Sequence, residues 1–274
     1  MHPSAILVVM RVIGQCKLCL REGVELRESH FISKSAYKLV EKLGGVTPLN
    51  VRGNITVQKN DQMKAPLLCA DCEDLFNKNG ESWVLRYCNR PNTGFKLHDL
   101  VRTVQPEVDQ PDLKMYATSS IAEIEGEKLT YFLLSVLWRG SVHSWKWGKD
   151  DQETPNLGSR YEEEFRKYLL SESDFPKNAA VHVYILANPD LWSGFTVPFQ
   201  QKLSDGLWRY TFNFLGISFR CFLGNVLNEK MRKVCIRSPH KYIFLGVDAD
   251  RILVRDFRPT LLSSKPLGTI RHTP

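Results

Sequence analysis

At 274 residues, 43% hydrophobic and 24% charged, the chain is long enough for one large or two small domains with real cores, and its balance is that of a water-soluble globular protein. No run approaches the ~18 apolar residues of a membrane span. The longest early run, residues 5–10, lacks the charged lead and small-residue cleavage site of a secretory signal, which gives the expectation of a cytoplasmic protein. Seven cysteines, an odd number, argue against a disulfide framework and suit a reducing compartment. The net charge of +7 is uneven. Residues 1–100 carry 14 Lys/Arg against 10 Asp/Glu, residues 101–215 carry 12 against 16, and residues 216–274 carry 11 against 4. Basic ends suit a polyanionic partner such as nucleic acid, although a solvated basic face would have the same composition.

Residues 5–13 are aliphatic and β-branched and read as a strand or as a disordered lead-in that packs late. Gly14 turns the chain into Cys16-Lys17-Leu18-Cys19. Residues 24–30 read as a short strand ending at His30. Residues 35–43 form an amphipathic helix, with Ala36, Leu39, Val40 and Leu43 at helical spacing and Gly44-Gly45 to end it. Residues 46–66 are polar, with Asn50, Asn54, Asn60 and Gln62, and read as a loop with at most a short strand. Leu67-Leu68 then lead into Cys69-Ala70-Asp71-Cys72-Glu73, the start of a helix over residues 71–87.

Two Cys-x-x-Cys pairs can give four thiolates to one tetrahedral zinc. A redox reading of the pairs is weaker, because only one of them could open a helix after a strand. The remaining cysteines, Cys88, Cys221 and Cys235, read as reduced thiols.

Residues 101–115, with Pro106, Pro111 and several acidic or amide side chains, read as a linker. Residues 129–145 are dense in apolar and aromatic side chains and form a buried helix. Within it, Trp138-Arg139 reads as a core tryptophan beside an arginine paired with an acid such as Glu162 or Glu163. The competing reading is a platform on which a base stacks. A second helix follows over residues 159–170, with Ser159 and Glu162 spaced as a capping box. Residues 180–186, 207–215, 217–223, 241–247 and 252–257 read as strands, and Gly216 marks a hairpin or a bulge. Lys230, Arg232, Lys233, Arg237 and Lys241 make the best phosphate-contacting patch. Residues 261–274 read as a flexible basic tail. The class is α+β: a zinc module over residues 1–100, a linker over 101–115, an α+β domain of a helical pair and a mainly antiparallel sheet over 116–260, and the tail.

The order of knuckle, strand, loop and cysteine-bearing helix has the layout of a treble-clef zinc fold. With Leu26-Arg27-Glu28-Ser29-His30-Phe31-Ile32, Leu67-Leu68-Cys69-Ala70-Asp71-Cys72-Glu73 and Leu134-Ser135-Val136-Leu137-Trp138-Arg139, the chain resembles a bacterial family of HNH-like (ββα-metal) endonucleases. The resemblance implies a structural zinc on Cys16, Cys19, Cys69 and Cys72, and His30 as the general base of phosphodiester hydrolysis. It also implies Asn50 or Asn54 as the residue orienting His30, and Glu73 and Asn77 as the holders of a catalytic Mg²⁺ or Mn²⁺. The chain departs from the pattern in two places. Ser29 stands where a metal-binding side chain is common, and Glu73 stands where His or Asn is usual. The partner implied is nucleic acid, DNA before RNA, with a protein partner or oligomer also open. The alternative function is a zinc-stabilised module that binds nucleic acid or protein without cutting.

Overall fold

The computed structural model describes residues 11–44, 49–52, 55–58, 62–147, 150–151, 154–246 and 265–267. Strands β1 (Val12–Gly14) and β2 (Val24–His30) pair antiparallel. Between β2 and β5 (Lys64–Cys69), its other antiparallel neighbour, the chain runs through α1 (Lys34–Lys42), β3 (Leu49–Arg52) and β4 (Ile55–Gln58). Ser33 caps α1, its hydroxyl oxygen accepting from the Ser35 N–H, and the helix turns Ala36, Tyr37, Leu39 and Val40 inward. The residues 46–66 expected as a loop hold the β3–β4 hairpin. Short strands there find their partners far along the chain: β4 also pairs in parallel with β17 (Lys265–Leu267), so the stretch expected to be a tail returns as a strand.

The end of β5 runs directly into α2 (Ala70–Phe76), a π-helical turn (Asn77–Glu81) and α3 (Ser82–Tyr87), which together fill the helix expected over 71–87. Then come β6 (Asn89–Arg90), β7 (Gly94–Phe95), α4 (Lys96–Val101), β8 (Val108–Gln110) and β9 (Leu113–Ala117). The stretch expected as a linker thus contributes a hairpin, with Pro111-Asp112 as its turn. Proline suits a turn, and within a sheet it is confined to edge strands and bulges, as Pro66 is on the edge strand β5.

The distal half begins with α5 (Gly126–Ser141), followed by β10 (Lys146–Trp147), β11 (Asp150–Asp151), α6 (Gly158–Leu169) and β12 (Ala179–Leu186). It continues with β13 (Phe199–Lys202), β14 (Trp208–Phe214), β15 (Ile217–Leu223), α7 (Glu229–Lys233) and β16 (Tyr242–Gly246). A seven-stranded sheet runs in the order β13-β14-β15-β12-β16-β9-β8, and only β12 and β16 pair in parallel. The strand expected over 252–257 lies outside the described residues.

Between β14 and β15, Leu215 (φ 48°) and Gly216 (φ 92°) make a two-residue turn with both φ positive, which settles the choice between hairpin and bulge. A Cβ at Gly216 would also collide with the Phe95 ring. Helix α6 lacks the expected capping box. Asn156 Oδ1 accepts from the Gly158 N–H at 2.9 Å, while Glu162 accepts from the Ser141 hydroxyl, which itself accepts from the Leu157 N–H.

Phe132 on α5 packs against Phe212, Phe214 and Phe219 at centroid distances of 5.0–6.0 Å. One hydrophobic cluster joins Cys16 and Phe31 to α5 and the sheet, so the cysteine-bearing N-terminal part and the sheet share a core. α5 also crosses the π-helical turn closely at Gly80, where a Cβ would stand 2.8 Å from the Phe132 backbone nitrogen.

His182 on β12 is buried beside Phe222 and Phe244, and its Nε2–H donates to the Met231 carbonyl at 2.9 Å. Burial pushes its pKa down to about 4. Between that value and the ordinary ~6.5 the unfolded chain binds the extra proton, so stability is full above ~6.5 and falls toward pH 4, by about 3 kcal/mol. Urea unfolding at the two ends of this window should show the loss in wild type and a flatter profile in His182→Gln.

Candidate metal centre and the adjoining pocket

Cys16 and Cys19 lie in a tight turn after β1. The turn is closed by the Leu20 N–H donating to the Cys16 carbonyl at 2.9 Å, with Leu20 itself at φ 60°. The Lys17 N–H donates to the Leu67 carbonyl at 3.1 Å, which docks this knuckle onto β5. Cys69 ends β5 and Cys72 lies in the first turn of α2.

All four sulfurs lie within 4.8 Å of one another, and those of Cys19 and Cys69 are 3.8 Å apart. A tetrahedral ion with metal–sulfur bonds of about 2.3 Å spaces its sulfurs about 3.8 Å apart, so the set fits zinc. The surroundings suit thiolates. The Cys69 N–H donates to Cys16 Sγ at 3.4 Å. Arg21 donates to Cys19 Sγ at 3.4 Å and Cys69 Sγ at 3.3 Å while anchored on Asp71. The Cys72 thiol, itself pushed up by the shared hydrogen bond, and the Cys69 N–H hold the Cys16 thiol well below the usual thiol range. The positive end of α2 adds to this.

His30 stands at the end of β2, half-buried. Burial holds its ring below the ordinary histidine range, against the opposing pull of Glu28 and of a hydrogen bond with the Gln62 side chain. That amide is a partner the sequence reading did not single out. Asn50 lies in β3, where only the backbone is described, and Asn54 lies outside the described residues.

His30, Glu73 and Asn77 line one pocket of about 260 Å³, together with Ser33, Lys34, Asp74, Glu81 and Arg139. Glu73, Asn77 and Glu81 reach it from successive turns of the α2–π segment. Burial pushes the Glu73 carboxyl up, against Arg139 and a Ser29 hydrogen bond, and its Oε1 is buried without a partner. Ser29 is itself fully buried and accepts from the Leu68 N–H at 3.2 Å, so it fastens Glu73 to β5 instead of serving an ion. Asn77 Oδ1 accepts from the Ser82 hydroxyl at 2.6 Å.

Arg139 reaches the pocket from α5. Its Nη1 donates to the His30 carbonyl at 2.8 Å, its Nη2 to Glu81 Oε1 at 2.6 Å and its Nε to the Ser135 carbonyl at 3.3 Å, with Phe76 beneath at 5.3 Å. Trp138 is buried, so the pair Trp138-Arg139 belongs to the core, and the acid that Arg139 meets is Glu81 rather than Glu162 or Glu163.

The expected basic patch divides. Arg237 pairs with Glu127 and lies over Phe175 at 4.7 Å, and Lys241 donates to the Ile124 carbonyl at 3.2 Å. Lys230, Arg232 and Lys233 sit together on α7, with Lys233 paired to Glu229. No helix among the described residues is long and apolar enough to cross a membrane. Comparison of the chain with protein-family models, with curated proteins and with solved structures finds no match.

Proposed function

We propose that this chain hydrolyses phosphodiester bonds in nucleic acid, DNA before RNA, at the His30 pocket, with zinc on the four cysteines as scaffold. The observation that carries the reading is that His30, Glu73 and Asn77 line one pocket beside the metal centre. The succession of knuckle, paired strands and cysteine-bearing helix supports a treble-clef, HNH-like arrangement. A ring kept neutral by burial is ready to take a proton from water, and Gln62 orients it. The zinc, held by Cys16, Cys19, Cys69 and Cys72, fixes the end of β5 and the start of α2, and so the Glu73 side of the pocket.

The test is incubation of zinc-loaded protein with supercoiled plasmid and with structured RNA, beside His30→Ala. The expected result is cutting that falls at least ~100-fold in the variant, with zinc content and circular dichroism unchanged. Equal cutting by both proteins would overturn the reading. Retarded nucleic acid with no cutting by either would establish the second reading, binding without cleavage. One observation favours that second reading: Glu81 is already occupied by Arg139.

A further inference from the structure

The HNH resemblance implies a second, catalytic cation beside His30, and the donor set does not fit one. Among the described residues, the four cysteines form the one group of three or more His, Cys, Asp or Glu side chains whose ligand atoms stand close enough to share an ion. Ser29, at the position where a ligand is common, is buried against β5 and bonded to Glu73. Asn77 Oδ1 is taken by Ser82. The carboxylates that remain, Glu73 and Glu81, face a charge the protein supplies itself. The Arg139 side chain is 2% exposed and bonded to Glu81, and Glu73 lines the same pocket.

We propose that Arg139 is the fixed cation of this pocket, its guanidinium standing where a second metal ion would, and that it positions His30 through the His30 carbonyl. The proposal builds on the reading of the His30 pocket as the reactive site, but its test does not need turnover.

Three features set this guanidinium in place. Ser135, one turn earlier on α5, accepts from Nε. Phe76 on α2 underlies it. Gly80 lets α5 approach the π-helical turn closely enough for Glu81 to meet it. A guanidinium is charged at every pH a protein meets and offers directed N–H donors. It cannot lower the pKa of a bound water as a metal does. Hydrolysis here would therefore use His30 as base and need no divalent ion beyond the structural zinc. The pocket is also completed by the distal half of the chain, because its cation comes from α5.

The experiment is a Mn²⁺ titration of the zinc-loaded full chain, read from paramagnetic broadening of the His30 imidazole resonances. Mn²⁺ prefers oxygen donors and leaves the thiolate site alone. The expected result is no selective broadening of His30 in wild type up to about 1 mM Mn²⁺. In Arg139→Gln, where Glu81 loses its partner and Glu73 a neighbouring positive charge, broadening should set in at concentrations at least ~10-fold lower. Arg139→Lys, which keeps the charge, should behave as wild type. Selective, saturable broadening of His30 in wild type below 1 mM overturns the proposal, and this arm decides alone if Arg139→Gln does not fold. Where wild type cuts nucleic acid, cutting should persist without added Mg²⁺ or Mn²⁺, and a strict requirement for either also overturns the proposal. Absence of cutting counts against the hydrolase reading and leaves the Mn²⁺ result to decide on Arg139.

Discussion

Cys69→Ser is expected to lose its zinc and, with it, the folded N-terminal part of the chain. Cys69 sits where β5 becomes α2, and its sulfur faces that of Cys19 at 3.8 Å and the Arg21 guanidinium at 3.3 Å. A serine hydroxyl does not ionise near neutral pH and is a poor zinc ligand, so the variant keeps three thiolates for a four-coordinate ion. A structural zinc of this kind contributes on the order of 10 kcal/mol, against a total stability of about 5–15 kcal/mol for a domain. The loss should spread, because Cys16, Cys69 and Cys72 belong to the same hydrophobic cluster as Phe31, Phe76 and α5. Elemental analysis alongside near-ultraviolet circular dichroism checks this. Retained zinc with an unchanged melting curve would show that the four sulfurs do not share an ion.

Arg139→Ala should cost about 3–5 kcal/mol, because it strands Glu81 as a buried charge without its partner and leaves a gap over Phe76. The side chains of the pair are 2% and 13% exposed, well away from the surface salt bridges that contribute little. Glu81→Ala should cost a similar amount, since it strands the guanidinium. The double replacement Arg139→Leu with Glu81→Leu should recover most of the loss, because two apolar side chains of similar volume can take the place of a buried pair. Urea unfolding of wild type, the two single variants and the double variant measures these differences. A cost below about 1 kcal/mol for Arg139→Ala would mean that the pair is solvated and holds nothing in place. The double variant also separates fold from chemistry: if it is stable and no longer cuts nucleic acid, the Arg139–Glu81 pair has a role beyond packing.

Legibility followed the range of the interactions. The cysteine pairs were legible because knuckle and helix start are local patterns, and the fold had only to bring two such patterns together. Strand β15 over Ile217–Leu223 was legible for the same reason, as an apolar run, whereas Gly216 fitted hairpin and bulge equally until the pairing of β14 with β15 decided between them. The hairpins β3–β4 and β8–β9 were not, because short polar strands are specified by partners, and β17 and β16 lie far away in sequence. Ser159 and Glu162 do have capping-box spacing, yet tertiary contacts gave Glu162 to Ser141, and the Gly158 N–H at the helix start goes to Asn156.

In the pocket, the resemblance singled out His30, Glu73 and Asn77, and the structure lines one pocket with these three and with Glu81. Nothing in the sequence could link Arg139 to Glu81, 58 residues earlier, or distinguish Gln62 from the other amides of its stretch. Ser29 looked like a missing ligand and is instead a buried hydrogen-bond partner of Glu73. In physical terms, the scaffold of the site is local chemistry, and its electrostatics depend on contacts made across the core.

The proposed pocket is built outward from the four-cysteine site, so the most direct measurement is X-ray absorption at the zinc edge on the purified full chain. Four sulfur neighbours at about 2.3 Å and no nitrogen or oxygen in the first shell is the expected result. A chain that carries no zinc, or zinc bound through nitrogen and oxygen, would contradict the metal centre at Cys16, Cys19, Cys69 and Cys72 and the pocket arranged around it.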